Sequence, residues 1–99
     1  MSLQGELREK SSDRVKEPKH YNVIMLNDDF TTMEFVVMIL IEIFKKDQGS
    51  AEQLMLMVHK NGRAVVGTYP YDIAVSKVNK ALNRAREEGF PFRMTVEEA

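Results

Sequence analysis

The most informative stretch of the chain is YNVIMLNDDFTTMEFVVMILIEIFKK, residues 21–46. It begins with Tyr21–Leu26, whose β-branched and other apolar side chains predict a buried strand. The polar residues Asn27–Asp29 follow and predict a turn. From Thr32 to Lys46 the chain is apolar on nearly every helical face. This pattern predicts a helix that is largely buried or that offers one face to a ligand.

Two capping boxes predict where the first two helices begin. Thr31–Glu34 has the form Thr-x-x-Glu, and Ser50–Gln53 has the related form Ser-x-x-Gln. In this motif the hydroxyl of the first residue accepts a hydrogen bond from the backbone N–H three residues later. We therefore expect Thr31 to cap the first helix and Ser50 to cap a second helix over residues 51–61. Gly62 is expected at the left-handed position that ends this second helix.

The rest of the chain predicts a strand, a helix and a final strand. Arg63–Tyr69 is predicted as a strand that Pro70 ends. Apolar residues recur at helical spacing from Tyr71 until Gly89, and then alternate with polar residues over Phe92–Glu97. The order strand, helix, helix, strand, helix, strand predicts an α+β fold. We expect a compact sandwich in which a three-stranded antiparallel sheet packs against three helices.

Length and charge predict one domain preceded by a charged arm. Residues 1–19 of the 99 have mixed charge and few apolar side chains, so we expect a flexible arm there and a core domain at residues 20–99. The net charge of −1 argues against nucleic acid as the main partner. No apolar run reaches the roughly 18–20 residues that span a bilayer, and no apolar h-region indicates a secretory signal. We therefore expect a cytoplasmic protein that acts away from membranes.

The residues that catalysis needs are mostly missing. The absence of cysteine excludes a disulfide, a thiol nucleophile and a zinc site with thiolate ligands. The five glycines are isolated, and the sequence has neither a glycine-rich phosphate loop nor a Gly-x-Ser-x-Gly motif. Asp28, Asp29 and a histidine could build a metal site, but carboxylates in loops are mostly caps and turns. We therefore expect no enzyme, no cofactor and no metal.

Three features favour binding instead. Asn27–Asp29 is either a turn with helix capping or a cluster of acceptors for a cation such as an ammonium group. His59 shares a helical face with Met55 and Val58, and is either a core or rim residue or a neutral acceptor for the same group. The seven methionines fit either core filling or a surface that accepts varied apolar side chains. An apolar floor with an acceptor rim would suit the N-terminal residue of a protein.

Two motifs in this chain resemble the signatures of the ClpS adaptor family. LNDDFTTMEFV at residues 26–36 resembles the first, and QLMLMVH at residues 53–59, followed by Gly62, resembles the second. Residues 77–78 and 91–97 also fit, so the similarity covers about residues 20–99. The family often has Tyr-Thr-Pro-Met where this chain has Phe-Thr-Thr-Met, and it has an acid where this chain has Val75.

The resemblance implies a non-catalytic adaptor of the bacterial N-degron pathway. ClpS proteins bind proteins whose first residue is Phe, Tyr, Trp or Leu. They deliver them to the N-terminal domain of a ClpA- or ClpC-type AAA+ unfoldase, which feeds the ClpP protease. We expect this chain to be a monomer. The alternative is a regulator that occupies the unfoldase N-domain and redirects substrate choice without recognising N-degrons.

The resemblance also implies which residues bind. The family residues that hold the α-amino group match Asn27, Asp28, Asp29 and His59. Those of the hydrophobic side-chain pocket match Thr31, Met33, Val36, Met55, Val58 and Phe92, with Met33 at the gate that excludes β-branched first residues. The acid and the lysine that contact the unfoldase match Asp72 and Lys77 of the third helix.

Overall fold

The fold is built around a central strand, β1 (His20–Leu26). The computed structural model describes residues 19–99, so the predicted arm at residues 1–19 lies outside the described residues except for Lys19. After β1 the elements are α1 (Met33–Glu42), α2 (Gln48–Asn61), β2 (Arg63–Pro70), α3 (Tyr71–Glu88) and β3 (Arg93–Glu98). No helix within this part of the chain is both long and apolar enough to cross a membrane.

The sheet has the order β2-β1-β3, and β1 pairs antiparallel with both neighbours. Because side chains alternate along a strand, Val23 and Met25 point towards the helices and are fully buried in the core. The β1–β2 pairing contains a bulge, since Val23 pairs with Gly67 whereas Ile24 pairs with Val65. The predicted three-stranded antiparallel sheet is confirmed.

One hydrophobic core joins the sheet to all three helices. α3 contributes a stripe of small side chains, which are Ala74, Val78, Ala81 and Ala85. Their small volume lets α3 approach the strands closely. α1 contributes larger groups, and Ile39 and Leu40 are fully buried. The predicted α+β class and the order of the elements are confirmed.

Both predicted helix N-caps are wrong, whereas Gly62 ends α2 as predicted. α1 is capped by Thr32, whose Oγ1 accepts a hydrogen bond from the N–H of Phe35 at 3.2 Å. The Thr31 hydroxyl is engaged elsewhere, as described below for the site. α2 is capped by Asp47, which accepts from the N–H of Ser50 at 2.8 Å. Aspartate is itself a favoured N-cap, so α2 begins at Gln48 rather than at residue 51.

α1 also ends earlier than predicted, at Glu42 instead of Lys46. Lys45 has a left-handed backbone with φ of 59°, which turns the chain out of the helix. The Lys46 N–H then donates to a carbonyl in the last turn of α1 at 3.0 Å. The cation that caps this helix end comes from α3, because the Lys77 ammonium group donates to the Ile43 carbonyl at 2.9 Å. This bond ties α1 to α3.

Candidate functional site

Nine of the residues predicted for binding line one cavity of about 210 Å³. They come from the β1–α1 loop, from α1 and from α2, and are Asn27, Asp28, Asp29, Thr31, Met33, Val36, Met55, Val58 and His59. The two sequence motifs therefore meet in space, and each supplies part of the same wall. We call this space the small cavity.

A backbone hydrogen bond brings the two motifs together. The Asn27 N–H donates to the Gly62 carbonyl at 2.9 Å. Gly62 ends α2 with φ of 87°, the left-handed conformation that glycine adopts readily, and its own N–H donates to the Val58 carbonyl at 2.8 Å. From β3, the Arg93 guanidinium donates to the Asn27 carbonyl at 3.2 Å. Asn27 is thereby fixed beside the last turn of α2, which carries His59.

Asp28 holds the loop in shape. Its Oδ1 accepts from the N–H groups of Phe30 and Thr31 at 2.8 and 2.7 Å, and its Oδ2 accepts from the Thr31 hydroxyl at 2.7 Å. Burial acts to raise the pKa of Asp28, but these hydrogen bonds and the nearby charge of Arg93 outweigh it and the pKa lies below its ordinary value. Asp28 therefore forms the hydrogen bonds that the turn interpretation predicts, and its contact with an α-amino group stays a prediction.

Asp29 and His59 lie exposed on the rim of the small cavity. Within residues 19–99, neither side chain forms a hydrogen bond or an ion pair, and the same is true of the Asn27 side chain. Three acceptors are therefore available to a guest at this rim. Residues 19–99 contain no group of three His, Asp or Glu side chains that could hold a metal ion.

The apolar wall of the small cavity comes from α1 and α2. Val36 and Val58 are buried, Met55 is half-buried, and Met33 is 47% exposed at the start of α1. The two valines are fixed in the core, whereas the two methionine side chains can adjust at the mouth. This part of the cavity suits one apolar side chain.

Three other predicted residues lie elsewhere. Phe92 is buried in the core and is not part of the small-cavity lining. Asp72 is exposed in the first turn of α3. Lys77 is half-buried, and its Nζ lies 5.9 and 5.5 Å from the ring centroids of Phe44 and Tyr69. Its ammonium group therefore has partners inside the domain.

A larger groove of about 600 Å³ runs between α1 and α2, and Met33 and Met55 line both spaces. Its other apolar lining residues are Val37, Met38, Ile41 and Leu56. Its polar lining residues, all exposed, are Glu34, Glu42, Gln48 and Glu52. We call this space the helix groove. The sequence motifs did not predict this groove, although an α1 that is apolar on nearly every face was expected to be largely buried or to offer one face to a ligand.

Known proteins share both the sequence and the fold. A family model for the ATP-dependent Clp protease adaptor protein ClpS matches residues 16–95. The chain belongs to the ClpS family. A ClpS adaptor of Herminiimonas arsenicoxydans is 49% identical over 94 residues, which are 95% of this chain and 92% of the relative. The Burkholderia thailandensis ClpS is 50% identical over 91 residues, 92% and 88% of the two chains.

A solved ClpS structure has the same architecture. Agrobacterium tumefaciens ClpS2 bound to L-phenylalaninamide superposes with a TM-score of 0.81 and 37% sequence identity, over 84% of this chain and 100% of that one. The resemblance based on the two motifs is therefore confirmed at the level of family and fold. The chain is a Clp protease adaptor of the ClpS family.

Proposed function

We propose that this adaptor binds proteins that begin with Phe, Tyr, Trp or Leu and delivers them to a ClpA- or ClpC-type unfoldase for degradation by ClpP. The observation that carries the proposal is the small cavity of about 210 Å³, where exposed acceptors lie beside an apolar wall. Only the first residue of a protein has a free α-ammonium group and an apolar side chain on the same carbon atom.

The rim of the small cavity provides the part of the site that binds the α-amino group. The Asn27 amide oxygen, the Asp29 carboxylate and a neutral His59 nitrogen can each accept from the ammonium group. Hydrogen bonds that involve a charged group are roughly twice as strong as neutral ones. Acetylation of the amine removes its charge and leaves desolvated acceptors without partners, so we expect acetylated peptides not to bind.

The wall provides the side-chain half. Burial of a Leu- or Phe-sized group contributes about 1.5–3 kcal/mol. Met33 stands at the mouth, where a branch at the β-carbon of the guest would meet it. The ligand of the Agrobacterium protein, L-phenylalaninamide, has a free amine, a benzyl side chain and no carboxylate. The first residue of a protein that begins with Phe has the same three features. This likeness supports the same recognition here.

For delivery we assign the unfoldase contact to the start of α3. Tyr71 and Ile73 are 57% and 43% exposed, and they flank the exposed Asp72. Exposed apolar side chains beside a charge can bury surface in a protein–protein contact. The part that Lys77 plays in this contact stays a prediction, since its ammonium group donates to the Ile43 carbonyl.

The alternative function is a regulator of the unfoldase that does not recognise degrons. It is favoured by the position of residues 71–73, which line neither the small cavity nor the helix groove. A partner could therefore dock there without any occupant in the small cavity. The regulator predicts unfoldase binding with no preference for Phe-first peptides.

The test is fluorescence anisotropy with labelled peptides that differ only in the first residue. We expect tight binding for Phe and Leu, and binding weaker by about tenfold or more for Ile, Lys, Ser and N-acetyl-Phe. In a second assay, Asp72→Ala should weaken binding to the unfoldase N-domain and leave peptide affinity unchanged. Equal or absent binding of all the peptides would contradict degron recognition and favour the regulator.

A further inference from the structure

We propose that the helix groove binds the segment of the degron that follows its first residue, and that it prefers a segment with an apolar side chain next to basic residues. This inference rests on the proposed function, because it assigns a second part of the same ligand. It adds a specificity site on α1 and α2 that the residues of the small cavity do not contain.

The helix groove is continuous with the small cavity. Met33 and Met55 line both the small cavity and the helix groove, so the two spaces adjoin across these side chains. A protein held by its first residue must lead the rest of its chain away from the small cavity. A chain that passes Met33 and Met55 enters the helix groove at once.

The helix groove is also large and has exposed apolar surface. The helix groove has about 600 Å³ against about 210 Å³ for the small cavity, so it can hold more than a single side chain. Leu56 is 50% exposed, and Val37, Met38 and Ile41 are half-buried. Apolar surface that remains exposed beside a binding site is a preferred docking surface for an extended peptide or a helix.

The rim of the helix groove is acidic. Glu34, Glu42 and Glu52 line the helix groove, whereas none of its lining residues is Lys or Arg. Glu42 is already paired with Arg84 at 3.1 Å, and Glu52 accepts from the Gln48 side chain at 2.7 Å. The remaining negative charge favours Lys and Arg in the guest and disfavours Asp and Glu. It also opposes a second copy that would present the same acidic face across a two-fold axis.

The test compares three probes on the full chain. The first is phenylalaninamide, which is too short to reach the helix groove. The others are two Phe-first decapeptides with identical first two residues, one with Leu and Lys at the third to sixth residues and one with Ser and Glu there. For the wild type we expect the Leu/Lys decapeptide to bind about five- to tenfold more tightly than the Ser/Glu one.

Two variants and one control locate the effect. Leu56→Ser removes an exposed apolar lining residue, and Glu52→Lys reverses one charge of the rim. Gln53→Lys is the matched control, because Gln53 is exposed on the same helix but does not line the groove. We expect Leu56→Ser and Glu52→Lys to lower the preference for the Leu/Lys decapeptide by about threefold or more, with phenylalaninamide affinity unchanged in all three variants. Circular dichroism checks that each variant is folded.

The outcomes separate this inference from the proposed function. If the wild type binds phenylalaninamide but does not distinguish the decapeptides, or if Gln53→Lys lowers the preference equally, the helix groove is not a degron site and the proposed function stands. If the wild type binds none of the three probes, both proposals fall. If ultracentrifugation finds a dimer that Leu56→Ser dissociates, the groove belongs to a second copy and the inference is overturned.

Discussion

The small cavity and the helix groove share two methionines but are held in different ways. At the polar end of the small cavity, Asn27 is fixed through its backbone by Gly62 and Arg93, and the Asp28 carboxylate holds the loop through three hydrogen bonds. The helix groove instead lies between two packed helices, where the half-exposed Leu56 and the half-buried Met55 supply apolar surface.

The difference indicates how one adaptor can be strict about the first residue of a guest and tolerant about the rest. Acceptors in fixed positions select one charge at one point, because a misplaced or missing ammonium group leaves them without partners. Methionine and leucine side chains accept many apolar shapes and add affinity with little geometric demand. We therefore expect strict selection from the loop after β1 and broad affinity from the two helices.

Removing the charge of Asp29 at the small cavity should have the largest effect on peptide affinity. Asp29→Asn keeps the size of the side chain but removes the carboxylate that we propose as an acceptor for the ammonium group. We expect the affinity for a Phe-first peptide to fall by about 30-fold or more, as measured by anisotropy. Asp72→Asn on α3 is the matched control and should leave the affinity unchanged. A loss below about threefold for Asp29→Asn would contradict the assigned acceptor.

Changing Met33, which lines both the small cavity and the helix groove, should affect both spaces. Met33→Ala removes the side chain at the mouth of the small cavity and part of the helix groove. We expect the preference for Phe-first over Ile-first peptides to fall by about tenfold, because a branched guest no longer meets the methionine. Met57→Ala is the control, since Met57 is 45% exposed and lines neither space. An unchanged preference would remove Met33 from the gate.

A change outside the two spaces should alter stability and not binding. Lys77→Met keeps the apolar stem but removes the ammonium group that donates to Ile43 and lies over the rings of Phe44 and Tyr69. We expect urea unfolding to give a free energy of unfolding lower by about 1–2 kcal/mol, with peptide affinity unchanged. The control is Lys80→Met, at an exposed position of α3. A normal unfolding midpoint would show that the tie between α1 and α3 is weak.

The smallest effect should come from Asp28, which holds the loop between β1 and α1, and this effect should depend on pH. Burial acts to raise the pKa of Asp28, but hydrogen bonds from Thr31 and Phe30 and the charge of Arg93 lower it overall. The folded state therefore favours the carboxylate, which stabilises the fold above the ordinary aspartate pKa of about 3.9. This contribution is lost as the pH falls through the lower pKa of the folded state.

The variant Asp28→Ala measures this contribution. We expect it to lower the free energy of unfolding by about 1 kcal/mol at neutral pH, and we expect the difference from wild type to shrink below the ordinary aspartate pKa. Asp28→Asn keeps an oxygen acceptor that does not titrate, so its difference from wild type should be smaller. A stability difference that is constant with pH would mean that the charge of Asp28 does not hold the loop.

Local patterns predicted the order of the elements and most of the small cavity. The β1–α1 loop and the last two turns of α2 each carry their residues in one short motif, so sequence was enough to name them. The two helix N-caps were predicted wrongly because several polar residues compete for the N-cap position at each helix start. Thr31 donates to Asp28 and leaves the cap to Thr32, and Asp47 caps α2 ahead of Ser50.

The helix groove and the partner of Lys77 could not be predicted in the same way. Val37 and Ile41 become groove residues only because α2 packs beside α1 and leaves them uncovered, and no spacing within one helix contains that information. Lys77 is 34 residues from Ile43, and their bond depends on how α3 crosses the end of α1. Phe92 was predicted for the pocket wall, but it lies just before β3 and is buried in the core.

We propose that the small cavity holds one guest residue at two points, by its amine and by its side chain. The most direct measurement is a crystal structure of this chain with a Phe-first decapeptide bound. We expect the α-amino nitrogen to lie within about 3 Å of acceptors on Asn27, Asp29 and His59. We expect the phenyl ring to lie between Val36 and Val58. An amine that faces solvent, or a ring bound outside the small cavity, would contradict this proposal.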